Sequence, residues 1–310
     1  MVVSGPIAGD SSWTADGGPY IVSGVVTVSA GTTLTINPGT VVKFETALSR
    51  LVVNGVLHAE GTALEKVFFT SYRDDTVGGD TNGDENATIP AAGDWLDIQI
   101  NTGGSATLAH SSIRYGGATG PGTSSANLHN NGGTLTVSDS LIASAVYGLK
   151  NDVGDAVITA TDIGDHSFGI VLESGSVHIS ESTIHDSSEH GFANPTPATL
   201  TVMDSLFSNN VLGPGYVHAD TDFTHANNIA SGAGKKGFGV FGKINSNQAW
   251  EADNIPYVVL NGDLVVNPGT TLTINPGTVV KFETALSRLV VNGVLHAEGT
   301  ALEKVFFTSY

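Results

Sequence analysis

Residues Gly31 to Tyr72 recur letter for letter as Gly269 to Tyr310, so 42 residues return unchanged at an offset of 238. Self-identity on that scale marks a modular chain whose units meet one another. The flanks extend the match in diverged form. Ile7, Trp13, Asp16, Pro19, Tyr20 and Val22 reappear 237 residues later as Ile244, Trp250, Asp253, Pro256, Tyr257 and Val259. The first copy runs on past Tyr72 into Arg73-Asp74-Asp75. The sequence therefore reads as an excerpt of a longer tandem protein, with one complete unit (1–243) followed by the opening of the next (244–310).

Within the unit, short alternating runs such as Thr134-Leu135-Thr136-Val137 and Ser176-Val177-His178-Ile179 are bounded by Gly, Asn, Asp or Ser, and sustained helical spacing is hard to find. The fold class expected is all-β. Setting Ile142, Ile163, Ile184, Phe207 and Ile229 in register gives steps of 21, 21, 23 and 22 residues, the length of one solenoid coil. Val137, Ile158, Ile179 and Val202 then point inward, as do Leu135, Ala156, Val177 and Leu200. Two residues before each anchor stand Ser140, Thr161, Ser182, Ser205 and Asn227, small polar residues that predict a hydrogen-bonded ladder up the stack. Gly148-Leu149, Gly169-Ile170 and Gly191-Phe192 mark a second strand in each coil, with the glycine expected at a bend. One such coil cannot bury its own face, so stacked coils must share a core and build a rod.

Several segments resemble the right-handed parallel β-helix repeat proteins of bacterial surfaces, with the pectate-lyase-like coil. They are the Trp…Pro-Tyr-x-Val lead-in, Gly31-Thr-Thr-Leu-Thr-Ile-Asn-Pro-Gly-Thr-Val-Val-Lys-Phe44, Leu51-Val-Val-Asn-Gly-Val-Leu57 and Val67-Phe-Phe-Thr-Ser-Tyr72. Residues from about 126 to 230 look like generic coils of the same kind. The resemblance implies a right-handed parallel β-helix with coils of about 21–23 residues. Parallel crossovers favour the same hand.

Composition narrows the function classes. Apolar residues make up 40% of the chain, enough for a real core. Acids outnumber bases 30 to 12, for a formal charge of −18, and the one close basic pair is Lys235-Lys236. Nucleic acid and anionic membranes are disfavoured partners, because phosphate contacts need clustered Lys and Arg. With no cysteine, disulfides and thiolate chemistry are excluded. No apolar stretch reaches membrane-span length, and Val2-Val3-Ser4-Gly5 follows Met1 without a basic region, so any signal peptide is expected outside this sequence. Excess acid suits an extracellular or cell-surface setting where divalent cations bridge carboxylates.

An acidic excursion, residues 73–94, interrupts the coil rhythm. Asp80-x-Asn82-x-Asp84 places oxygen ligands at alternate positions, as in the opening half of an EF-hand or dockerin-like calcium loop. The sixth position is Glu85 rather than Gly, and the twelfth is Ala91 rather than an acid. Asp74, Asp75 or Asp94 must then complete the shell. The competing reading is a solvated loop of Asx turns.

A second polar cluster combines Asp165-His166, His185-Asp186 and Glu189-His190, and the coil alignment puts His166 beside Glu189. Acid beside imidazole suits acid–base or metal chemistry, yet surface histidines meet acids by chance, and exposed turn decoration is favoured. Polygalacturonase-like enzymes carry clustered aspartates with a Gly-His-Gly element, for which this chain offers Glu189-His190-Gly191-Phe192. Pectate lyases need essential arginines, and the arginines here are Arg50, Arg73, Arg114 and Arg288. An ice-binding threonine array fails by alignment, since Thr134/Thr136 is followed by Asp155/Val157, Ser176/His178 and Thr199/Thr201. Trp13 and Trp250 are expected to cover the start of each unit's core, and Trp95 to pin the base of the acidic loop.

The function expected is a non-enzymatic spacer, stalk or fibre module of a secreted or cell-surface protein. Its partners would be neighbouring units of the same chain or a second copy. Phe238, Val240 and Phe241, after the Gly-rich stretch from Gly232, need cover and so argue for docked units. The alternative is a calcium-dependent carbohydrate-binding or polysaccharide-cleaving β-helix.

Overall fold

The computed structural model describes residues 1–120 and 124–310. Short parallel strands stack into a β-solenoid of about 13 turns, and no described helix is long and apolar enough to cross a membrane. Every strand pair is parallel, so each coil hydrogen-bonds to the coil below and the coil above. Three ladders form the faces of the complete unit. The first runs from Val41–Phe44 through Val67–Ser71, Ser111–Arg114 and Leu141–Ala143 to Ile229–Ser231. The second contains Arg50–Val53, Ile98–Asn101, Phe168–Leu172, His190–Asn194 and Gly213–His218. The third contains Thr33–Ile36, Val56–Glu60, Ser176–Ser180, Thr199–Met203 and Asp222–Ala226.

Alternation along each strand sends one side chain in and the next out, and the inward ones fill a continuous core. Leu135, Val137, Ile158, Ile163, Val177, Ile179, Ile184 and Val202 are all fully buried. At about 25 cal/mol per Å², burying one such aliphatic side chain contributes about 2 kcal/mol. The anchors on the first ladder are Ile142, Ile163, Ile184, Phe207 and Ala230, paired in that order at steps of 21, 21, 23 and 23 residues. The last anchor is thus Ala230 rather than Ile229, whose side chain is 54% exposed. Earlier coils are longer, because Val42 pairs with Phe69 and Ile113 with Ile142.

The polar ladder follows the corrected register. The amide of Thr161 donates to Ser182 Oγ (3.1 Å), that of Ser182 to Ser205 Oγ (3.2 Å), and that of Ser205 to Asn228 Oδ1 (3.1 Å). Each hydroxyl donates onward, as Ser182 does to the Ser180 carbonyl at 2.8 Å. Asn228 takes the rung expected of Asn227. The glycines at 148, 169 and 191 serve close approach. A Cβ on any of them would lie 2.6 Å from a backbone carbonyl of the next coil, so no larger residue fits.

The second copy joins without a break in pairing. Phe238 and Val240 are buried, Phe238 pairs with Tyr257, and Tyr257 pairs with Val280. The identical block nevertheless lands on a different ladder. Val42 belongs to the first ladder, whereas its twin Val280 extends the second. Among the described residues the first ladder stops at Ile229–Ser231, and the incoming chain passes that face as the turn around Asp253. The register of the repeat therefore steps around the rod at the junction.

Candidate metal centre and a second polar face

The acidic loop folds down over the strand Val41–Phe44. Lys43, at the centre of that strand, is fully buried, and its ammonium donates to the Gly79 carbonyl (2.7 Å) and Thr81 Oγ1 (3.0 Å). Burial holds its pKa below the ordinary lysine value against the pull of Asp75, Asp74 and Asp80. Trp95 closes the loop from the other end. It is fully buried, stacks on Phe44 at 3.9 Å between ring centroids, and donates its indole N–H to the Arg114 carbonyl.

Three of the expected ligands converge. Carboxylate oxygens of Asp75, Asp80 and Asp84 lie within 4.8 Å of one another. Asp80 accepts the amides of Gly83 (2.7 Å) and Glu85 (3.1 Å), and Asp84 accepts Thr88 Oγ1 (2.5 Å) with the amides of Asn86 and Thr88. These bonds, led by that of Thr88, hold the Asp84 carboxyl below the usual range. Asp75 stands in the opposite condition. Both its oxygens are shielded from solvent with no hydrogen-bond donor, and burial, then the neighbouring Asp80, push its pKa up despite Lys43. Asn82 Oδ1 is likewise shielded and unpaired.

Unpaired oxygens facing a carboxylate cluster are costly unless a cation meets them. The donor set is entirely hard oxygen, which fits calcium. Asp75, Asp80, Asn82 and Asp84 would hold the ion, with Asp75 entering from before the loop in place of the missing twelfth-position acid. At the sixth position Glu85 has φ of 60° and Asn86 has φ of 95°, so the backbone makes the left-handed turn without the usual glycine. Asp74 and Asp94 are committed to protein donors. Asp74, fully buried, accepts Thr70 Oγ1 (2.6 Å), Thr76 Oγ1 and Arg114 (3.1 Å), while Asp94 accepts Ser71 Oγ (2.6 Å), the Ala91 amide and Arg73 (2.9 Å). They brace the loop.

The histidine cluster separates. His166 turns inward, where Nδ1 accepts the Ala145 amide (3.2 Å) and Nε2 lies 3.2 Å from the Ile142 carbonyl; burial lowers its pKa. It caps a turn in the role that Asn210 fills two coils later and does not join Glu189. His185 stays outside, held between Asp162 (2.7 Å) and Asp186 (2.6 Å). Partial burial opposes its charge, but the two carboxylates prevail and raise its pKa. The Thr134/Thr136 array breaks in the paired strands as the alignment requires.

Two features of the second face escape a reading of the sequence. Arg50 makes a bidentate pair with the fully buried Asp97 (both oxygens at 2.7 Å), Ser124 Oγ donates to Asp97 (2.6 Å), and His129 Nε2 meets Asp152 (2.8 Å). Burial opposes ionisation of Asp97, but His129 and Arg50 outweigh it and lower its pKa. Farther along, half-buried rings line up on successive coils. Tyr147 meets Phe168 (5.9 Å), Phe168 meets His190 (6.2 Å), His190 meets Tyr216 (5.0 Å) and Tyr216 meets Phe241 (5.8 Å). A cavity of about 200 Å³ lies beside this row, bordered by His190, Lys235, Glu283 and Tyr310. Burial, then Lys235, push His190 down to about 4. The signal for the row is an aromatic one residue before the Gly of the second strand, at Tyr147, Phe168 and His190, repeated at coil spacing.

The chain matches no protein-family model, no curated protein and no solved structure.

Proposed function

We propose that the chain is a structural repeat module of a long secreted or cell-surface protein, a rigid spacer or stalk rather than an enzyme, with calcium fastening the acidic loop of each unit. The supporting observation is the junction. The strand Phe238–Phe241 pairs with Gly213–His218 on one side and Tyr257–Val259 on the other, so adjoining units share one sheet and one core instead of a flexible tether. At about 4.8 Å per coil, roughly 13 turns extend on the order of 60 Å. Sedimentation tests the reading through a frictional ratio well above that of a sphere, with no turnover when the chain meets acidic polysaccharides. Release of reducing or unsaturated ends would refute the non-enzymatic part.

A second reading, carbohydrate binding, is favoured by the aromatic row, because rings at successive coils offer stacking faces at a spacing close to that of an extended glycan. Affinity electrophoresis in polysaccharide gels tests it. Retardation abolished by Phe168→Ala supports the reading, and mobility equal to an inert protein in every gel removes it.

A further inference from the structure

The turn ladder Thr161, Ser182, Ser205 and Asn228 does not end inside the first unit. The Asn228 amide donates to Asp253 Oδ1 (3.1 Å), and Asn228 Nδ2 donates to Asp253 Oδ2 (3.0 Å). Asp253, from the lead-in of the second copy, is thus the next rung. Beside it, His225 places Nδ1 3.0 Å from Asp253 Oδ2 and Nε2 2.5 Å from the Tyr257 hydroxyl, with His225 and Asp253 side chains essentially inaccessible. Tyr257 stacks on Trp250 at 4.5 Å and 9°.

The first unit carries the same lead-in without a partner coil. Trp13 stacks on Tyr20 at 4.7 Å and 8°, and the Tyr20 hydroxyl accepts the Thr14 amide (3.1 Å), as Tyr257 accepts that of Glu251. Asp16, the counterpart of Asp253, is exposed. The strand Val2–Ile7 pairs on one edge with Tyr20–Val28, as Phe238–Phe241 pairs with Tyr257–Val259, and Val2 is 69% exposed. An apolar strand edge left open invites pairing.

We infer that the face formed by Val2–Ile7, Asp16 and Tyr20 is a docking surface for the closing coil of a preceding unit of this same sequence, whose Asn228 amide and His225 imidazole engage Asp16 and Tyr20. The inference rests on the tandem reading above and adds the surface and the residues that read it. Identical donors and acceptors at each junction set the register, because a slipped coil leaves a buried imidazole and carboxylate unpaired.

The test uses an extended chain in which residues 1–237 precede the intact 1–310 in register. Asp16→Asn is placed at the new internal junction, and the same substitution is made in the 310-residue chain. Hydrogen exchange of the peptide containing the upstream Asn228 is read by mass spectrometry, with Asp253→Asn in the 310-residue chain as reference. The expected result is protection at the new junction equal to that of the natural one, lost about tenfold on Asp16→Asn, and an unchanged melting temperature for Asp16→Asn in the 310-residue chain. Exchange indifferent to Asp16 in an extended chain that scatters as one straight rod overturns this inference alone. An extended chain that scatters as two separate bodies overturns it together with the continuous-rod reading.

Discussion

His225 Nε2 and the Tyr257 hydroxyl meet at 2.5 Å across the boundary between one unit and the next. Both side chains are buried, and burial holds the tyrosine far from ionisation. His225→Ala would leave Asp253 and Tyr257 without their donor, at a cost of about 2–3 kcal/mol. Chemical denaturation should show that loss, and hydrogen exchange should localise it to residues 213–259.

Arg50 and Arg288 occupy the same position of the identical block yet do different work. Arg50 pairs with the buried Asp97, whereas Arg288 pairs with the exposed Asp263 in the coil before it. Arg50→Ala strands a buried carboxylate and should cost about 3 kcal/mol. Arg288→Ala should leave the urea midpoint within error. Equal effects would mean the two copies sit in equivalent surroundings.

Calcium should raise the melting temperature and protect residues 75–88 from proteolysis, and EDTA should reverse both. Asp75→Asn is expected to abolish the calcium response. In metal-free protein the same substitution should stabilise the loop, since it removes a carboxylate that burial and Asp80 disfavour. The sign with pH follows. Because the folded pKa of Asp75 is raised, its contribution without metal is present on the acid side and is lost as pH rises through that folded value.

His190 and His185 should titrate in opposite directions. His190, pushed down to about 4, stays neutral well into acid, so its contribution is present above the ordinary histidine value of about 6.5 and is lost as pH falls toward 4. His185, raised by Asp162 and Asp186, contributes on the acid side and loses that contribution as pH rises through its folded pKa. Proton NMR of the two C2–H resonances against pH checks both.

Where coils are regular, residue spacing specified the structure closely. Ile142, Ile163, Ile184 and Phe207 form one ladder, and their alternating neighbours are buried as period two requires. The misplacement of Ile229 arose because its coil adds one residue, putting a small alanine inside and a large aliphatic residue outside. His166 was unreadable for another reason. Turn carbonyls inside a solenoid need donors, and an inward histidine answers that need while resembling a surface residue. Asp75, Asp80 and Asp84 come together as their spacing suggested, but the commitment of Asp74 and Asp94 to protein donors depends on Arg114 and Ser71, which coil stacking alone brings near. The Arg50–Asp97 pair spans the acidic loop, where no period guides the eye.

The central claim is that coils continue unbroken through the junction at Phe238–Tyr257. Small-angle X-ray scattering of the 310-residue chain tests it most directly. The account predicts the linear cross-section plot of a single rod, with a maximum dimension on the order of 60 Å set by roughly 13 coils. A compact globular profile, or one requiring two bodies with variable separation, would contradict it.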